Sequence, residues 1–141
     1  MNNQNVVRPP FPIRLAFEPI QLCNAACFCC PYTWLQKDPE YRGKAMEQDK
    51  LKALLDDFGG IRRRHSYDGS LTLIPYRFSE PLLYKNIELV FEAAEKYDFD
   101  LLITTNGVAL NGDRLGLLNR YRKRVTKITV SFIGATPKDI E

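Results

Sequence analysis

Short apolar runs alternate along this chain with helical spacers, and that alternation limits what the chain can fold into. IRLAFEP (13–19), LTLIPY (71–76), DLLITTN (100–106) and KITVSFIG (127–134) are rich in apolar and β-branched residues and bounded by Gly, Pro, Asn or Asp, as buried strands are. Between them, Leu51, Leu54, Leu55, Phe58 and Ile61 recur at helical spacing, as do Leu83, Ile87, Val90, Phe91 and Ala94, so each spacer has one apolar face. A third spacer opens at Asn111-Gly112-Asp113, with an Asn or Asp to cap it, and carries Leu117, Leu118, Tyr121 and Val125. Strand–helix alternation favours an α/β fold, a parallel sheet covered by helices with its chemistry at the carboxyl ends of the strands. Pro75 removes a ladder donor near the end of the second strand.

The chain has 141 residues, of which 45% are hydrophobic and 26% charged, the make-up of one soluble globular domain. There are no repeats, low-complexity tracts or linkers. The amino terminus carries Pro9, Pro10 and Pro12 and lacks a signal-peptide core. No run approaches the roughly 18 apolar residues of a membrane span, so a cytoplasmic protein without membrane partners is expected. A net charge of +3 is too small to argue for nucleic acid by itself.

All four cysteines fall within CNAACFCC, residues 23–30, directly after the first strand. Disulfides are disfavoured by the strained Cys29-Cys30 step and by the reducing compartment that the missing secretory signal implies. Structural zinc usually draws two ligand pairs separated by a longer span, and the only histidine, His65, is distant in sequence. Inert buried thiols leave the clustering unexplained. An iron–sulfur cluster remains, with the number of binding thiols open.

Cys23, Cys27 and Cys30 reproduce the CxxxCxxC signature of the radical S-adenosylmethionine enzymes, and CNAACFCCPY resembles that family's cluster loop. The resemblance implies that these three cysteines bind a [4Fe–4S] cluster whose fourth iron is open to S-adenosylmethionine. Reductive cleavage of that cofactor then yields a 5′-deoxyadenosyl radical, which abstracts hydrogen from a substrate. FSEPLLY (78–84) looks like the family's GGEP-type segment, which holds the cofactor's amino group; Glu80 and Pro81 match, with Phe78 and Ser79 in place of the glycines. ITTNGVAL (103–110) resembles the TNG segment after the third strand, and VSFIG (130–134) the fourth strand. The resemblance therefore implies cofactor contacts from Ser79, Glu80, Asn106 and Ser131. Phe28 is expected to supply the adenine contact, because Cys29 stands where the family commonly has an aromatic residue. Cys29 is the spare thiol, with Cys23, Cys27 and Cys29 as the alternative ligand set.

The fold implied is a partial (β/α) barrel of parallel strands, four βα units of an expected six, over residues 13–141, with 1–12 as an amino-terminal extension. By that measure the core looks truncated, with TPKDIE (136–141) entering a fourth helix and with self-association, or a partner completing the barrel, expected at strand four. The EPLL variant suggests a peptide substrate of the SPASM-associated kind, and a flavodoxin or ferredoxin is the expected reductant. Two alternatives stand beside this enzyme. One is a non-catalytic zinc or iron–sulfur module. The other is an RNA-modifying member of the same superfamily, with Arg62-Arg63-Arg64-His65 and Arg120, Arg122, Lys123 and Arg124 as its footprint, although such runs are more often solvated helix ends. Tyr32 and Trp34 either line the cofactor loop or pack under it, and Glu18 is either a polar group of the site or a surface carboxylate.

Overall fold

The four apolar runs pair into one sheet. In the computed structural model, which describes residues 11–132, β1 (Arg14–Ala16), β2 (Thr72–Ile74), β3 (Asp100–Thr105) and β4 (Val125–Val130) lie in the order β1-β2-β3-β4. Every neighbour is parallel, with Leu15 opposite Leu73, Leu73 opposite Leu101 and Ile103 opposite Ile128. The α/β class with parallel strands is thus as expected. Most of the amino-terminal extension, residues 133–134 and TPKDIE lie outside the described residues.

The helices supply one layer of core. The first long spacer forms α2 (Gln48–Gly59) and α3 (Ile61–His65), and the second forms α4 (Glu88–Tyr97); α1 (Pro31–Gln36) precedes them, and α5 (Gly112–Arg120) fills the third. Leu51, Leu55 and Phe58 of α2 and Val90, Phe91 and Ala94 of α4 meet Leu73, Leu101 and Ile103 of the sheet in a single cluster. Burial along β3 therefore alternates. Leu101, Ile103 and Thr105 are buried, while Leu102 and Thr104 are half-buried, because only one face carries helices among the described residues.

Several boundaries differ from the sequence expectation. Leu83 belongs to a 3-10 turn, Pro81–Leu83, and α4 starts only at Glu88, since Tyr84 is extended (φ −67°, ψ 123°) and breaks the helical path. Val125 opens β4 opposite Leu101 instead of closing α5, which stops at Arg120. Asn111 does cap α5, accepting from Arg114 N–H at 3.0 Å. Helix α1 was not anticipated; its six residues are too short for periodicity to reveal. β4, expected as a buried strand, is exposed from Thr126 to Val130, because it is an outer strand with no described element packed over it. No helix of the described residues is long and apolar enough to cross a membrane.

Candidate functional site

The thiol loop leaves β1 through Pro19 and Ile20 and is pinned before its first cysteine. Ile20 forms an antiparallel bridge with Ala45, with Gln21 N–H on Lys44 O (2.7 Å) and Met46 N–H on Pro19 O (2.8 Å). Gly43 allows this close pass, as a Cβ there would lie 2.3 Å from Gln21 O. The hydroxyls of Tyr32 and Tyr41 both donate to Gln21 O. Burial and the Tyr41 hydroxyl push the Tyr32 phenol far above its ordinary pKa. Tyr32 therefore packs under the loop, whereas Trp34 is exposed beneath the Lys37 ammonium. From α1, Thr33 Oγ1 donates to Cys27 O (2.7 Å) and Gln36 Nε2 to Cys23 O (2.9 Å), so a short helix fixes the backbone between the cysteines.

A cleft of about 190 Å³ opens at the carboxyl ends of the strands. Cys23, Cys27 and Cys30 line it, together with Ser79 and Glu80 after β2, Asn106 after β3 and Ser131 after β4. The fold thus gathers seven residues singled out in four separate stretches of sequence. Cys29 is not on the wall and is exposed. Phe28 is likewise absent from the wall and 69% exposed. All four cysteines are free thiols. Burial, followed by the neighbouring Cys23, Cys29 and Cys30, raises the pKa of the Cys27 thiol above its ordinary value of 9.0. Among the described residues no three His, Cys, Asp or Glu side chains are grouped to hold a metal ion.

Two carboxylates shape the wall. Glu80 is 2% exposed; its Oε1 accepts from Leu82 N–H (3.1 Å) and Thr105 Oγ1 (2.9 Å), and its Oε2 from Asn106 N–H (2.7 Å). Its own N–H donates to Leu22 O at 2.9 Å, so one residue joins the ends of β2 and β3 to the base of the thiol loop. Glu18 Oε1 accepts from the backbone N–H groups of Phe78 (2.7 Å) and Ser79 (3.0 Å), which favours the site reading of Glu18 over that of a surface carboxylate. The Ser79 hydroxyl is buried and has no hydrogen-bond partner among the described residues. Sequence reasoning did not single out Thr105, whose signal was its place beside Asn106-Gly107, or Asn24, whose signal was its place after Cys23 in the CNAACFCCPY loop.

The basic runs lie outside the cleft, and four of their seven Arg and Lys side chains are ion-paired among the described residues. Arg62 meets Asp98, Arg64 meets Asp57, Arg120 meets Glu88, and Arg124 meets Glu95 and Asp98. His65 stacks on Phe11 with ring centroids 4.3 Å apart.

No family model matches the chain, and no curated protein matches it either. Solved structures share its fold. BtrN in complex with AdoMet and 2-DOIA superposes with a TM-score of 0.70 at 23% identity, over 92% of this chain and 49% of that one. Streptococcus suis SuiB bound to S-adenosylmethionine gives 0.63 at 21% identity, over 91% and 27%. SuiB bound to the precursor peptide SuiA gives 0.56 at 22% identity, over 91% and 26%. The chain spans about half the length of BtrN and about a quarter of SuiB.

Proposed function

We propose that residues 13–141 form part of a radical S-adenosylmethionine core, with Cys23, Cys27 and Cys30 holding a [4Fe–4S] cluster and the cleft beside them taking S-adenosylmethionine. The observation that carries this reading is the wall itself: three thiols in CxxxCxxC spacing share one cleft with the residues after β2, β3 and β4, and the fourth thiol stays outside. The residues present fit the group by donor type, and because no three of them are grouped around a single ion among the described residues, each thiol would bind its own iron of a cluster. Three soft donors suit iron–sulfur chemistry and would leave one iron open, and Ser79, whose hydroxyl has no partner among the described residues, lines the same cleft. The fold shared with proteins crystallised with AdoMet supports the same reading.

When bound, such a cluster would supply one-electron reductive cleavage of S-adenosylmethionine and, through it, hydrogen abstraction from a substrate. The chain's own part is positional. Helix α1 fixes the carbonyls of Cys23 and Cys27, Glu80 ties the thiol loop to β3, and Glu18 sets the peptide units that carry Ser79 into the wall. A peptide substrate is the class we favour, in line with SuiB binding its precursor peptide; a flavodoxin or ferredoxin would serve as reductant, and the compartment would be the cytoplasm.

Anaerobic reconstitution followed by iron and sulfide analysis tests the ligand set. Alanine at Cys23, Cys27 or Cys30 should abolish the cluster, and Cys29→Ala should retain it. Bound zinc without iron would remove the enzyme reading, and loss in Cys29→Ala with retention in Cys30→Ala would move the ligand set. An electron paramagnetic resonance signal unchanged by added S-adenosylmethionine would count against the cofactor site.

A further inference from the structure

We infer that Asn106 acts on the cluster through Cys23, as a hydrogen-bond donor to its thiolate. This inference rests on the function proposed above and deepens it. The orientation of the Asn106 amide is decided by its partners. Oδ1 accepts from Val108 N–H at 2.9 Å, within a turn that Gly107 makes at φ +83°. Nδ2 donates to Asn24 Oδ1 at 2.7 Å and lies 3.5 Å from Cys23 Sγ. Flipping the amide would set Oδ1 against the Asn24 carbonyl and the NH₂ against the Val108 N–H, losing both bonds.

The backbone of Asn106 is anchored as firmly as its side chain, because its N–H donates to the buried Glu80 carboxylate at 2.7 Å. A donor is therefore held against one of the three candidate ligand sulfurs, from a residue 83 positions along the chain. A hydrogen bond to a thiolate disperses its charge, and a cluster gains more from this when reduced, so the bond raises the reduction potential. Asn106 thereby becomes a positioning and tuning residue of the cluster, with its amide occupied before any cofactor enters.

Potentiometry on the reconstituted full chain tests this, paired with pulsed electron paramagnetic resonance of the reduced cluster in D₂O. Asn106→Asp keeps an acceptor for Val108 N–H and removes the donor; Asn106→Ala removes both without adding charge. Both variants should hold the cluster, shift its potential downward and lose the coupling of one exchangeable deuteron. The charge added in Asn106→Asp lowers the potential by itself, so a merely structural role is recognised by a wild-type potential in Asn106→Ala and by deuteron coupling retained in both variants. A wild-type potential in Asn106→Ala with unchanged deuteron coupling in both variants would overturn the inference alone, whereas a wild-type chain that takes up no cluster would sink the proposed function and the inference together.

Discussion

The Glu80 carboxylate is committed to the chain itself. Thr105 Oγ1 and the N–H groups of Leu82 and Asn106 occupy its two oxygens, so truncation strands three donors in a buried setting. At about 1–3 kcal/mol for each unsatisfied donor, Glu80→Ala should destabilise the fold by at least about 3 kcal/mol in urea unfolding, and Glu80→Gln by less, because its amide still accepts at one oxygen. An unchanged unfolding midpoint would show that water replaces the carboxylate. Ser79 is the opposite case, a hydroxyl with no partner among the described residues. Ser79→Ala should leave stability within about 0.5 kcal/mol and weaken S-adenosylmethionine binding roughly three- to ten-fold, read by titration of the cluster signal. The sequence could point to Glu80 and Asn106 through short motifs. It could not show that they bond to each other, because that contact forms only when β2 and β3 become neighbours.

Elements were legible to the extent that their side chains repeat. Leu51, Leu55 and Phe58, or Val90, Phe91 and Ala94, announce a helix face directly; α1 has no repeat, and Val125 is apolar enough for either a helix or a strand. Phe91 lies fully buried between α4 and the sheet, and Phe91→Ala should lower stability by about 3–5 kcal/mol. A loss under about 1 kcal/mol would mean that the layer collapses around the gap. The α2–α4 contact also has an exposed clasp, in which the Tyr97 hydroxyl and then the Lys96 ammonium hold the Asp56 carboxyl below its ordinary pKa of 3.8. A carboxyl with a depressed folded-state pKa stabilises above its unfolded value and ceases to do so as pH falls through the folded one. Asp56→Asn should therefore remove a small part of the acid destabilisation expected below about pH 4, and identical pH profiles for the two proteins would show that the clasp does not persist in solution.

For the molecule as a whole, β4 is the weakly covered flank among the described residues. Val130 is 52% exposed and Phe132 78%, and an outer strand with apolar side chains templates pairing. The 141-residue chain should self-associate in light scattering, and Val130→Lys should shift it toward monomer; a monodisperse wild-type monomer would refute this. The sheet order β1-β2-β3-β4 carries a further consequence, one of timing. Each strand joins the edge left by its predecessor, so the sheet can grow in the direction in which the chain is made. The thiol loop is translated early, yet Asn106 and Ser131 reach it last. Closing the 83-residue span from Cys23 to Asn106 carries a loop entropy of roughly 4 kcal/mol, which makes completion of the cleft a late event in folding. Cys23, Cys27 and Cys30 therefore pass through a stage of synthesis in which the residues that complete the cleft around them do not yet exist.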